Sequence, residues 1–386
     1  MGRNLVIAPD KFKGCLSSPK ICRLLESGLD KQLPDHWQII SCPQADGGEG
    51  TVEAVVEAQD GKKIKSTVHG PLGREVEAEW GWVETGEAKT AIVEMAAASG
   101  LALLEEEEQN PLQTTTYGTG EIIREAASRG ADKILLGIGG SATVDGGTGV
   151  AAALGFRLLD ENGEPVDPCG GNLDRIKKID ASNVDRAVKN LEIKVACDVT
   201  NPLLGSEGAA RVYGPQKGAT EQMVPELENN MENWAAVLEN FAGKKLREEP
   251  GTGAAGGLGF GLMGLLDASL TSGAKLVGEV TGLNSLLENA DVLITGEGKM
   301  DEQTAYGKTP AVVAEAGDEN DVFLVLGVTG ARVGNVETLY NYFDYIFAIP
   351  NRPMSLQESM ELADDLLLEW GAEVGRLINK VFQSGS

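Results

Sequence analysis

Histidine, cysteine, aromatic side chains and positive charge are all scarce in this chain of 386 residues. The two histidines, His36 and His69, have no partner at metal-ligand spacing, and no G-x-S-x-G motif occurs. A Ser-His-Asp hydrolase mechanism therefore finds no support. The five cysteines (Cys15, Cys22, Cys42, Cys169 and Cys197) are scattered and form no CxxC pair, which argues against a disulfide framework or a cysteine-based zinc site. Aromatics make up 5% of the chain, so Leu, Ile, Val and Ala must fill the core. Against 33 Lys and Arg stand 59 Asp and Glu, a formal charge of −26. That balance speaks against nucleic acid and against an anionic membrane as partners. No long uninterrupted apolar run suggests a membrane span. The first apolar stretch, Leu5–Ala8 closed by Pro9, reads as a strand and not as a signal peptide. A cytoplasmic protein with reduced thiols is expected. If its substrate is an anion, a local cluster of lysines must offset the acidic background.

What is present is an alternation of strand and helix in a chain too long for one ordinary domain. "LVIAPD" predicts a buried strand. Ser17 or Ser18 then caps a helix with Pro19 in its first turn and apolar residues at Ile21, Leu24, Leu25 and Leu29. "WQIISC" predicts a second strand and "GTVEAVVEAQDG" a second helix, an order that implies a parallel sheet. Between residues 63 and 93 the pattern becomes polar–apolar alternation with turn signals, as in antiparallel hairpins. Strand–helix repeats follow, then an amphipathic helix near Thr220–Phe241. "EEEEQ" at 105–109 reads as a solvated loop. The end of the chain returns to buried parallel-type strands. The expected organisation is a discontinuous parallel α/β domain from residues 1–64 and 290–386, with a mixed α/β domain, 65–289, inserted into it.

Glycine is abundant, with 50 residues, and three glycine-dense stretches carry candidate chemistry. In "GIGGSATVDGGTG", Gly137, Gly139 and Ala142 fit G-x-G-x-x-A after a predicted strand, and Asp160 stands where a ribose-binding acid would. However, a helix can begin only near Gly149. The alternative is an anion cradle that includes Gly139, Gly140, Ser141 and Asp145. In "EGKMDEQTAYGKTP", Gly307-Lys308-Thr309 resembles the tail of a Walker A loop, but Glu302 replaces the required glycine. The acids there, Glu297 among them, could instead hold Mg²⁺. "GTGAAGGLGFGL" places Gly256 and Gly257 ahead of an apolar helix.

Acids and lysines recur at the ends of predicted strands: Asp10, Lys11 and Lys13 after the first, Asp46 and Glu49 after the second, Asp198 after "EIKVAC". Lys217 lies in a loop before a helix. Carboxylates for metal and base, with lysines and N–H groups for phosphate, are the parts that phosphoryl transfer uses. On this reading Lys13 and Lys217 clamp an anion. Asp198 or Asp46 accepts a proton, with the other near the metal.

Taken in order, "IAPDKFKG", "ADGGEGT", "GPLG", "EMAAASGLAL", "TTTYGTGE", "GIGGSATVDGG", "ACDVTNPL", "GPQKGAT", "GAAGGLG" and "ITGEGKMDEQTAYGKTP" resemble the bacterial type I glycerate kinases from about residue 5 to 330. Lys11 stands where that family more often has serine, and Val144 where it has asparagine, so Lys13 is preferred to Lys11. The resemblance implies two α/β domains, one flavodoxin-like with a parallel three-layer sheet, with the active site in the cleft between them. It implies ATP- and Mg²⁺-dependent phosphorylation of D-glycerate, giving 2-phosphoglycerate for this type, while related enzymes make the 3-phosphate and the sequence alone leaves the hydroxyl open. The rival readings are an NAD-dependent oxidoreductase acting on a small hydroxy acid and a non-catalytic anion-binding protein.

Overall fold

The computed structural model describes residues 2–384. The chain forms two compact units: Met1–Asp46 with Glu53–Asp60 and Gly273–Ser386, and Gly47–Val52 with Gly61–Ser272.

The first unit is built on a five-stranded sheet with every neighbouring pair parallel. Its central strand, Arg3–Ile7, pairs with Trp37–Ser41 on one side and Val292–Met300 on the other. Leu324–Arg332 and Tyr345–Ala348 follow. Counted along the chain within this unit, the strand order is 2-1-3-4-5. The alternating faces of a strand explain why two cores form. Leu5 and Ile7 pack with Ile21, Leu25, Leu367 and Trp370 from the helices Ser18–Asp30 and Ala363–Ser384. Val6 and Ala8 pack with Leu283, Leu287, Val313 and Ala314 from the helices on the other face. Glycine at 28 lets the helices Ser18–Asp30 and Ala363–Ser384 approach closely, since a Cβ there would stand 2.5 Å from the Leu368 carbonyl oxygen.

Ser17 is the N-cap residue of the first helix, but its hydroxyl donates to Glu53 at 3.0 Å and makes no cap bond. The strand Val292–Met300 continues past Gly296, because Leu324–Arg332 is equally long and pairs Glu297 with Thr329 and Met300 with Arg332. Glu297 is thus a strand residue.

The second unit has a mixed six-stranded sheet in the order Ser269–Thr271, Glu192–Ala196, Lys133–Gly137, Ala88–Glu94, Glu75–Thr85, Lys62–His69. The first four strands run parallel and the last two add as antiparallel neighbours. The alternating stretch near 63–93 supplies those antiparallel pairings. A separate pair, Arg157–Leu159 and Lys178–Asp180, is antiparallel. The amphipathic helix spans Met223–Ala242, with Leu227, Met231, Trp234 and Leu238 buried. The acidic stretch at 105–109 is a short 3-10 turn with a capping box, and Glu108 pairs with Arg74 at 2.9 Å.

Candidate functional site

Chain connectivity marks one place in the first sheet. Between Arg3–Ile7 and Val292–Met300 the strand order reverses, and open parallel sheets bind ligands outside the carboxyl ends of strands at such a point. Pro9 ends the first strand, yet the ladder continues: Ala8 N–H donates to Ile294 at 2.8 Å and Asp10 N–H to Gly296 at 2.8 Å. This fixes Asp10 beside the extended end of the Val292–Met300 strand. A pocket of about 520 Å³ opens there, with Asp10, Lys11, Lys13, Asp46, Glu297 and Lys308 around it. Four of these were sequence-predicted site residues: Asp10, Lys13, Asp46 and Glu297.

The electrostatics of the pocket are unusual for so acidic a chain. Burial, followed by the nearby Asp46 charge, pushes Asp10 up to about 7. A carboxyl group in that range can hold or release a proton near neutrality. Its Oδ1 accepts from the Lys11 N–H at 2.6 Å. Lys11 lies 3.6 Å from the Asp46 carboxylate. Burial also raises Glu297, against the opposing pull of a 2.7 Å hydrogen bond from Thr304 and of Lys308. Lys308 reaches Asp301 at 3.4 Å and Glu297 at 4.0 Å. Two residues outside the predicted site set, Lys308 and Thr304, therefore complete this group. The Gly307-Lys308-Thr309 pattern was the local signal for Lys308. It opens the Thr309–Glu319 helix as expected, with Lys308 as the N-cap.

The donors suit a hard cation. Among the described residues no group of three His, Cys, Asp or Glu is placed to cage a metal. Mg²⁺ usually takes one or two carboxylates together with substrate phosphates, and Asp46 and Glu297 offer oxygen ligands of that kind.

In the second unit the predicted residues also meet, but they face one another. Lys217 is buried and donates to Ser141 Oγ at 2.9 Å and to the Thr143 carbonyl at 2.7 Å. Burial pulls it down to about 7. Asp145 is fully enclosed. Its carboxylate accepts from the Thr116 N–H and hydroxyl at 2.7 and 2.8 Å, and from Gly147 and Gly149 N–H at 3.1 and 3.2 Å. Burial raises Asp145 in spite of these bonds. Gly256 lies against the same loop, its carbonyl accepting from Gly146 N–H at 2.9 Å. Gly257 follows it as the N-cap of the Leu258–Leu266 helix. Thr148 donates to the Asp145 carbonyl at 2.8 Å. Gly139 and Gly140 remain exposed.

Asp198 lies past the Glu192–Ala196 strand and is exposed. Asp160 does not follow a strand of the parallel set. Its Oδ1 accepts from Asn162 and Glu164 N–H at 2.8 and 2.9 Å in the turn after Arg157–Leu159. That is turn chemistry, and the geometry required for dinucleotide binding is missing.

Comparison with known proteins points one way. The glycerate kinase family model matches residues 5–379. A glycerate kinase of Halalkalibacterium halodurans is 46% identical over 365 residues, 94% of this chain and 95% of that protein. A glycerate 2-kinase of Escherichia coli is 43% identical over 362 residues, 94% of each. A solved structure from Salmonella typhimurium LT2, assigned as a candidate glycerate kinase 2, superposes with a TM-score of 0.90 at 38% identity. It covers 99% of this chain and 100% of that one. Along nearly its whole length, then, this chain belongs to the glycerate kinase family.

Proposed function

We propose that this protein transfers the γ-phosphoryl group of ATP to D-glycerate, at the 2-hydroxyl, releasing ADP and 2-phosphoglycerate. The observation that carries the reading is the pocket at the strand-order reversal, where carboxylates and lysines meet around a carboxyl group poised near neutrality. The position of transfer is supported by the Escherichia coli relative, a glycerate 2-kinase. The 2-1-3-4-5 strand order supports a flavodoxin-like first domain, and the two compact units are read as the two domains.

In this reading the glycerate hydroxyl oxygen attacks the γ-phosphorus, the bond to the β-phosphate oxygen breaks, and the hydroxyl proton passes to Asp10. Lys13 and Lys308 offset phosphate charge. Asp46 and Glu297 would hold Mg²⁺, which supplies charge neutralisation on the phosphate oxygens. The Lys217–Ser141–Asp145 loop keeps Gly139 and Gly140 in place for a ligand. Asp198 is the second unit's candidate for proton or metal. A cytoplasmic setting is in keeping with five free thiols and with the lack, among the described residues, of any helix long and apolar enough to cross a membrane.

The test is incubation with D-glycerate, ATP and Mg²⁺, followed by ADP release and phosphorus NMR of the product. 3-Phosphoglycerate as the sole product would overturn the position of transfer. Full activity in excess chelator would overturn the metal requirement.

A further inference from the structure

The pocket that contains Asp10 and Lys308 has a second, chemically different end. Phe12, Ile349, Leu356, Met360 and Ala363 line it. Most apolar side chains at such a place would be covered by the protein. Here Leu356 is 75% exposed and Met360 37% exposed. Both belong to the short helix Leu356–Glu361. Their i, i+4 spacing puts them on one face, and that face borders the pocket.

We propose that this apolar wall seats the adenine base of ATP, with the triphosphate directed toward Lys11, Lys308 and the carboxylates. The proposal rests on the kinase reading above and adds to it which substrate this pocket takes.

Three observations favour a nucleotide. The pocket is two-ended, apolar on one wall and charged at the other, which matches a base joined to phosphates. Its volume of about 520 Å³ falls in the range of sites for molecules of that size. D-glycerate, by contrast, is small and has no apolar face to cover Leu356 and Met360. The place is also the strand-order reversal of a parallel sheet, where ligands with phosphate groups are commonly held.

A cysteine provides a direct reporter. Cys15 lines the same pocket, is partly exposed, and its Sγ lies 3.6 Å from the Met360 carbonyl oxygen. Cys22 and Cys42 are buried, and Cys169 and Cys197 belong to the other unit. The experiment is alkylation of the full chain with iodoacetamide, with the rate at Cys15 read by peptide mass spectrometry. Adenosine and ATP should each slow labelling of Cys15. D-glycerate and inorganic tripolyphosphate should not. In parallel, Leu356→Asp should weaken binding of a fluorescent N-methylanthraniloyl ATP about tenfold or more, the scale of one lost apolar side-chain contact, and should raise the KM for ATP with the KM for D-glycerate held within twofold. Circular dichroism checks that the variant folds.

Protection by tripolyphosphate equal to that by ATP overturns the proposal, because phosphate alone would then fill the pocket. So does protection by D-glycerate without protection by adenosine. A labelling rate that falls with protein concentration and ignores adenosine assigns the wall to a second copy of the chain, and also overturns it. The labelling needs no turnover. A chain that protects Cys15 with adenosine yet forms no ADP from D-glycerate keeps the adenine seat and loses the kinase reading.

Discussion

Asp10 and Asp145 are both buried aspartates in loops that follow a strand of a parallel set, and burial raises both. Their surroundings differ. Asp145 is met by four donors from its own unit. Asp10 borders an open pocket with a second carboxylate near it. The two lysines repeat the contrast: Lys217 is sealed in and bonded to the Ser141–Thr143 stretch of a distant loop, while Lys13 is exposed at the pocket. A polar residue at a strand end is therefore not by itself a site. What separates the two cases is whether the rest of the unit has enclosed and satisfied the group, as four donors do for Asp145, or has left it facing a pocket, as with Asp10.

The sharpest way to break that comparison is to remove the charge from each aspartate. Asp10→Asn should lower kcat by about 10²–10⁴-fold, the usual cost of losing a general base, with the fold intact. Asp145→Asn should act first on stability. Its amide would turn an N–H donor toward donors that now meet an acceptor, costing about 1–3 kcal/mol. Melting temperature and kcat of both variants decide it. If Asp145→Asn kept its melting temperature and lost kcat as Asp10→Asn does, the division between open and closed loop would fail. Asp198→Asn belongs in the same series, and a near-normal kcat would remove Asp198 from the chemistry.

A backbone test of the closed loop comes next. Gly256 has φ +68, and a Cβ there would stand 2.0 Å from the Thr143 carbonyl oxygen, the same oxygen that Lys217 holds. Gly256→Ala should cost about 2–4 kcal/mol, in the range of strained backbone substitutions. A melting temperature close to that of the parent protein would mean the loop yields more easily than its bonding implies.

Asp10 and Lys217 should also tilt stability in opposite directions about neutral pH. Asp10 is raised from 3.8 to about 7, so between these values the folded chain holds a proton that the unfolded chain releases. Its stabilising share is complete below pH 4 and is lost as pH rises through 7. Lys217 is lowered from 10.5 to about 7, so above 7 the unfolded chain binds the extra proton and stability rises with pH toward 10.5. In chelator, the advantage of Asp10→Asn over the parent should grow from pH 4 to 7 and then level, reaching on the order of 3–4 kcal/mol. The position of Lys217→Met relative to the parent should be flat below pH 7 and worsen above it. Thermal melts across pH 4–10 measure both. Parallel curves for parent and variant would remove the corresponding group from the titration.

These contrasts show how far the sequence could be read. The strand–helix alternation was legible because a buried parallel strand and an amphipathic helix each leave a local pattern. The glycine-dense loop and the strand-end acids were legible as candidates for the same reason. The sealing of Asp145 was not, because it depends on Thr116, 29 residues earlier in the chain. Nor was the burial of Lys217, whose partner Ser141 lies 76 residues away. The extension of the Val292–Met300 strand past Gly296 was hidden as well. Pairing with Leu324–Arg332 holds that stretch extended, and the partner strand lies about thirty residues further along the chain. Local periodicity reports which face of an element is apolar. It does not report which polar group another segment will satisfy.

The smallest effect is expected where the closed loop reaches the surface. Gly140 has φ +71, close to the +68 of Gly256, but it is exposed, and a Cβ there would meet the Ala96 Cβ at 3.2 Å. A neighbouring methyl can shift by a few tenths of an ångström, whereas the Thr143 carbonyl is held by Lys217. The stability cost of Gly140→Ala should therefore be little more than that of placing one L-residue in the left-handed region, about 1–2 kcal/mol. Stability and function should separate at this position. If Gly139 and Gly140 present N–H groups to a ligand, the added methyl obstructs its approach, so the KM for ATP or for D-glycerate should rise while the melting temperature falls by only a few degrees, roughly 2–4 °C per kcal/mol at this size. The substrate whose KM moves identifies what the exposed end of the loop contacts. Unchanged values for both, with the small stability loss alone, would make Gly139 and Gly140 part of a tight turn and leave the anion-binding role of this stretch without support.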